Sequence, residues 1–278
     1  MRPAPWPLPD LWKGCYFRPM LSYQHLYHAG NLADVQKHAM LAWVLAELVR
    51  KDKPLSYLET HAGRGLYDLA APEALRTAEA AAGIGRVEPW FPASDPYAQV
   101  LSETRRLHGP RAYPGSPLVA ALSLRPQDRL TLAELHPREG EALARHLGPH
   151  GARIEKRDGA EMALTLTPPT PRRGLMLLDP SWEVKADYVT LPDLMEKVHR
   201  RWNVGILMLW YPLLPDGRHA PMLKRLEATF PEALRHEVRF PPARAGHGME
   251  GSGLFTVNPP WKMEERASWL SERFATLA

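Results

Sequence analysis

Apolar positions along this chain fall into two regimes. In residues 31–51, Leu32, Val35, Met40, Val44, Leu45 and Leu48 recur close to helical spacing, with Asn31 placed to cap the first turn and Pro54 to end the run. A short strand at 55–59 then runs into "ETHAGRG", a turn carrying Gly63 and Gly65. Residues 68–112 are Ala-rich and broken by Pro72, Pro89, Pro92 and Pro96, with helical patches at 74–82 and 97–107, which predicts a mainly helical insertion.

Beyond the insertion, short apolar strands alternate with amphipathic segments. "RLTLAEL" ends at Leu135, "ARIEK" at Lys156, "GLMLLD" at Asp179 and "VGILMLW" at Trp210. "HEVRF" and "GLFTV" follow with no long helix between them. The alternation predicts an α/β fold, a mostly parallel sheet of seven strands with helices on both faces. The last two strands are joined by the Gly-rich loop "PPARAGHGMEGSG", and a parallel pair needs a longer crossover, so the final strand is expected to be antiparallel. This is the Rossmann-like sheet of class I S-adenosylmethionine-dependent methyltransferases.

Composition narrows the setting. With 278 residues, 45% hydrophobic and 24% charged, one principal domain is expected, spanning 20–278 with the insertion at about 68–112. The first nineteen residues, "MRPAPWPLPDLWKGCYFRP", are too Pro-rich for a helix and lack an unbroken apolar run, so they read as a disordered or draped extension, with Met20 as an alternative start. The longest apolar run, 205–214, is interrupted by Pro212, which argues against a membrane span. A single cysteine, Cys15, excludes an internal disulfide and fits a reducing cytoplasm. The +4 formal charge tolerates a polyanionic partner without requiring one.

In an open α/β sheet, ligands bind outside the carboxyl ends of the strands, so polar residues there are the first candidates. Strand one ends at Glu59 and turns through His61, Gly63 and Gly65; strand two ends near Glu134; Asp158-Gly159 follows strand three; strand four ends at Asp179. Glycines let backbone approach a nucleoside, a carboxylate after strand two can accept both ribose hydroxyls, and one after strand three can hold an adenine edge. Four such positions in register point to S-adenosylmethionine, while the missing second half of G-x-G-x-x-G argues against NAD.

Two loops compete for the chemistry. In "LLDPSW", the Asp179 carboxylate and Pro180 carbonyl could hold both hydrogens of an exocyclic amine, Asp179 could take its proton, and Trp182 could stack on a flipped or single-stranded base. "TVNPPW" is the better pattern, but an antiparallel last strand carries Asn258 away from the cofactor; Pro259 and Pro260 then stop the strand and Trp261 is expected to pack beneath the sheet. Proximity precedes pattern, so Asp179 is preferred. The stretch "LSYQHLYHAGNLADVQKH" adds Tyr23, His25, Tyr27, His28, Asn31, Lys37 and His38, with Lys37 and His38 placed to reach a cofactor carboxylate or a phosphate. Its histidines match no zinc spacing, so no metal is expected.

From Met20 onward the chain resembles the bacterial family of 23S ribosomal RNA adenine-N6 methyltransferases, RlmJ, members of which have also been labelled as proteins for use of external DNA. The resemblance rests on "MLSYQHLYHAGNLADVQKH", "KDKPLSYLETHAGRGLYDL", "YPGSPLVAALSLRPQD", "LAELHP", "EKRDGA", "RRGLMLLDPSWEVKADY", "LWYP" and "SGLFTVNPPWKMEE". It implies cofactor contacts at His38, His61, Ser116, Glu134, Asp158, Gly159 and Asp179, the catalytic acid at Asp179, a substrate-contacting Tyr23, and active-site roles for His25 and Lys37. The family pattern D-P-P-Y reads D-P-S-W here; Ser181 gives up the second proline's rigidity, which should loosen the loop holding Trp182. The expected activity is methylation of an adenine N6 in protein-free 23S rRNA by a monomer with no obligate protein partner. DNA adenine, a protein glutamine amide, or non-catalytic nucleic-acid binding are the competing readings.

Overall fold

A computed structural model of the protein describes residues 25–241 and 248–277. The extension expected at 1–19 and the substrate-contacting Tyr23 lie outside the described residues.

Asn31 caps α1 (Leu32–Val49) by accepting the Asp34 amide at 2.9 Å. The helix is almost wholly enclosed, and its buried positions include Asp34, Gln36, Lys37 and His38. β1 (Ser56–Glu59) follows. The segment before the next sheet strand opens and closes with a two-stranded antiparallel ribbon, β2 (Leu66–Asp68) against β3 (Ala112–Pro114). Between them lie three short helices, α2 (Pro72–Thr77), α3 (Glu79–Ala82) and α4 (Ile84–Val87), and then the longer α5 (Pro96–His108). The patch read as one helix at 74–82 is broken at Ala78, which is left-handed with φ of 55°. The ribbon escapes a periodicity reading because three residues per strand are too few to show alternation.

The remaining elements alternate as expected: α6 (Ser116–Ser123), β4 (Arg129–Ala133), α7 (Pro137–Leu147), β5 (Arg153–Glu155), α8 (Gly159–Leu166), β6 (Gly174–Leu178), α9 (Asp187–Arg201), β7 (Ile206–Leu213), α10 (Ala220–Thr229), β8 (Leu234–Arg239), β9 (Gly251–Val257) and α11 (Met263–Ala275). The main sheet has seven strands in the order β5-β4-β1-β6-β7-β9-β8, and β9 is antiparallel to both neighbours. β7 runs three residues past its expected end, through Pro212.

Strand alternation divides the core into two layers. Tyr57, Leu175 and Leu177 face a layer closed by α1, α6 and α11, while Leu58, Met176 and Leu178 face one closed by α8, α9 and α10. β6, buried at all five positions, is covered on both sides and therefore reads as a continuous apolar run. Glu59 is in register with Leu132 of β4 and Leu177 of β6, so the carboxyl ends of the three central parallel strands open together at the point where strand order reverses.

Candidate active site

Loops leaving that edge converge on one cluster. Asp179 follows β6 directly, and its Oδ2 accepts from the Lys37 ammonium at 2.6 Å. Lys37 also lies 3.2 Å from Asp34 Oδ1, one turn earlier on α1. Asp34 in turn receives the Gly30 amide at 2.9 Å, and its Oδ2 is 2.9 Å from His25 Nε2. Burial works to raise the Asp34 carboxyl, but His25, Lys37 and His38 outweigh it and hold the group well below its ordinary value. His38, fully enclosed, is pushed down to about 3 by burial despite the nearby Asp34, and is therefore neutral at physiological pH. Its Nδ1 is 3.0 Å from the Tyr113 hydroxyl, which contacts the Tyr97 hydroxyl at 2.8 Å. Its Nε2 is buried with no hydrogen-bond partner among the described residues.

Glu59 lies at the floor. The Ser116 hydroxyl donates to Oε1 at 2.5 Å and the Tyr57 hydroxyl to Oε2 at 2.8 Å, and burial pushes the carboxyl up to about 8 against those bonds. Glu134 is fixed by two backbone amides, Gly63 donating to Oε2 and His136 to Oε1, each at 2.7 Å. Burial nevertheless raises its carboxyl. Gly63 reaches this geometry with φ of 61°, in the left-handed region that favours glycine. His61 follows Thr60, whose hydroxyl lies 2.8 Å from its Nδ1, and burial lowers its imidazole. Asp158 caps α8 by accepting the Glu161 amide at 2.9 Å. A Cβ on Gly159 would stand 2.0 Å from the Thr60 carbonyl, so the loop after β1 and the start of α8 are pressed together where only glycine fits.

The described candidates lie on the loops after β1, β4, β5 and β6 (His61, Gly63, Glu134, Asp158, Asp179, Pro180 and Trp182), at the first positions of α6 and α8 (Ser116 and Gly159), and on α1 and the short helical turn before it (Lys37, His38 and His25). Their chemistry suits a nucleoside bearing a cation. Carboxylates line the edge, and the buried His38 Nε2 lacks a hydrogen-bond partner among the described residues. Trp182 is 5% exposed, with its ring centroid 4.5 Å from that of Tyr188 and its indole N–H donating to the Trp210 carbonyl at 3.2 Å. Its φ of 60° turns the loop sharply after Ser181. In this conformation the ring faces inward rather than toward solvent.

Sequence reading missed several supports. Asp34 organises His25, Lys37 and His38, and its spacing of three and four residues from Lys37 and His38 was the available signal. Arg64 fixes the Gly63 turn to α7 through a bidentate pair with Glu139, at 2.8 and 2.6 Å. Trp210 lies under Lys37, with Nζ 5.2 Å from its ring centroid. Asp187, in the first turn of α9, is pushed up to about 6 by burial and by Asp158.

The competing loop lies elsewhere. Val257 pairs with Leu207 at the start of β7, so Asn258 emerges at the amino ends of the parallel strands. Its amide donates to the carbonyls of Asn203 and Gly205 at 2.9 and 2.8 Å. Trp261 does not pack beneath the sheet as expected but is 84% exposed, because the turn at 259–262 leads straight into α11 and Lys262, at φ of 69°, swings the chain outward. Among the described residues no group of three or more His, Cys, Asp or Glu is arranged to hold a metal ion, and no helix is long and apolar enough to cross a membrane.

The sequence model of one family, described as ribosomal RNA large subunit methyltransferase D, RlmJ, matches residues 52–277. Ribosomal RNA large subunit methyltransferase J of Escherichia coli K12 is 40% identical over 265 residues, covering 91% of this chain and 94% of that protein. The protein of the same name from Haemophilus influenzae is 37% identical over 251 residues, 88% and 89% of the two chains. A crystal structure of a Legionella pneumophila protein superposes with a TM-score of 0.81 at 34% identity, over 90% of this chain and 94% of that one. By the extent of the family match and the identity to both named relatives, this chain belongs to the RlmJ family of ribosomal RNA large subunit methyltransferases.

Proposed function

We propose that the protein transfers a methyl group from S-adenosylmethionine to the N6 amine of an adenine in 23S ribosomal RNA, in the cytoplasm and on RNA free of ribosomal proteins. The observation that carries this reading is Asp179 at the carboxyl end of β6, held by Lys37 beside a row of cofactor-type carboxylates. The two named relatives are ribosomal RNA large subunit methyltransferases, which supports RNA over other amine-bearing substrates. We assign residues 20–278 to one methyltransferase domain, with 68–112 as its insertion.

Bound S-adenosylmethionine supplies an electrophilic methyl on a sulfonium. Glu134, oriented by two backbone amides, would accept the ribose hydroxyls, and Asp158 and Gly159 would hold the adenine edge. His38, His61, Gly63 and Ser116 complete the cofactor side. For the substrate, an adenine amine is a weak nucleophile because its lone pair is delocalised into the ring. The Asp179 carboxylate and the Pro180 carbonyl accept its two hydrogens and favour the pyramidal nitrogen needed in the transition state. On receiving the methyl group N6 would have to lose a proton, and Asp179 is the acceptor placed to take it. The family resemblance assigns Tyr23, His25 and Lys37 to the substrate, and Trp182 would stack on the base once the loop turns its ring away from Tyr188.

Transfer of labelled methyl to rRNA from a strain lacking the gene tests this directly. Digestion should yield N6-methyladenosine, with duplex DNA unlabelled; label in DNA alone would replace the RNA substrate.

A further inference from the structure

Lys37 lies between two carboxylates, at 2.6 Å from Asp179 and 3.2 Å from Asp34. Only Asp179 is needed as proton acceptor, yet Asp34 is more deeply buried and gathers more partners: the Gly30 amide, Lys37 and His25 Nε2 at 2.9 Å. Burying such a carboxylate is costly unless it is paired and hydrogen-bonded, and these contacts supply both.

We infer that Asp34 is a positioning residue for methyl transfer, sharing the Lys37 ammonium with Asp179 and tying His25 to the same point, so that Asp179 is only partly neutralised and keeps negative charge facing the target amine. The inference rests on the functional reading above. A lysine divided between two carboxylates neutralises each only in part, so Asp179 keeps negative charge to complement the positive charge that appears on N6 as the nitrogen–carbon bond forms and before its proton passes to Asp179. With Asp34 uncharged, Lys37 would pair with Asp179 alone and neutralise more of that charge. Among the other groups facing the cluster, burial pushes the His38 imidazole down to about 3, lowers that of His61 and pushes the Glu59 carboxyl up to about 8, while the hydroxyls of Tyr97 and Tyr113 are held above their ordinary range.

Asp34→Asn keeps the side-chain volume and removes the charge. Its kcat should fall about 100-fold, the magnitude of a lost transition-state contact, while KM for rRNA and the dissociation constant for S-adenosylmethionine, read by calorimetry, stay within about two-fold, a shift worth only ~0.4 kcal/mol. Asp34→Glu, which restores the charge, should regain activity relative to Asn. Combined with Lys37→Met, the Asn substitution should add no further loss. Additive losses, a defect confined to cofactor affinity, equal activity of the Asn and Glu variants, or wild-type kcat in Asp34→Asn would each overturn the inference. A wild-type protein that binds cofactor but methylates no adenine overturns the functional reading, and this inference with it.

Discussion

The Lys37 ammonium donates to the Asp179 carboxylate at 2.6 Å across 142 residues of chain. The contact joins the first turns of α1 to the end of β6 and fixes the catalytic loop from a rigid, buried helix. Asp179 is thus presented as a charged acceptor with one oxygen already occupied, which leaves the other for the substrate amine.

Removing that acceptor should stop the chemistry without emptying the cofactor site. Asp179→Ala is expected to lower methyl transfer by about 10³-fold or more, with S-adenosylmethionine binding by calorimetry largely retained. Comparable loss of cofactor binding would show that Asp179 is mainly a ligand for the cofactor.

Asn258→Ala supplies the contrast. Its amide bonds to the Asn203 and Gly205 carbonyls hold the far end of the sheet, so the variant should lose about 1 kcal/mol of stability and keep near-normal activity. Denaturant unfolding and the rRNA assay read the two effects separately. Trp261→Ala, at an exposed position, should change stability by less than about 0.5 kcal/mol.

Glu59 predicts a pH dependence of unusual sign for a carboxylate. Its folded value is pushed up to about 8 from an ordinary 4.5, so the folded state holds the proton more tightly than the unfolded chain. Its contribution to stability is fully present below pH 4.5 and is lost as pH rises toward about 8. Melting temperature should therefore decline across that window more steeply in wild type than in Glu59→Gln. Parallel curves would mean that Glu59 stays ionised in the fold.

Gly159→Ala should damage the cofactor side. Its Cβ meets the Thr60 carbonyl at 2.0 Å, which is backbone and cannot rotate away, so the loops after β1 and before α8 must separate. Calorimetry should record at least about a 10-fold weaker S-adenosylmethionine affinity, ~1.4 kcal/mol.

Trp182→Ala tests the packed loop. Loss of the contact with Tyr188 and of the bond to the Trp210 carbonyl should cost about 3–5 kcal/mol by chemical denaturation. A change below about 1 kcal/mol would mean that the ring spends its time turned outward.

Local pattern was enough for much of this architecture. Short apolar runs set between amphipathic segments marked the seven sheet strands, and the short Gly-rich connection marked the last as antiparallel, because both are properties of neighbouring residues. The antiparallel direction in turn separated Asp179 from Asn258, so the less perfect motif could be preferred before any coordinates. The β2–β3 ribbon, the break at Ala78 and the exposure of Trp261 were not legible, since each depends on what packs against a short segment.

The sequence by itself determined the sheet, the row of strand-end carboxylates and the family. Periodicity and motif order are written along the chain, and the hydrophobic effect enforces them locally. Only the tertiary structure decided which charges share a space: that Lys37 sits between Asp34 and Asp179, that Ser116 bonds Glu59, and that Trp182 turns inward to Tyr188. Electrostatic and packing energies depend on separations through space, and residues far apart in sequence acquire those separations only when the chain closes on itself.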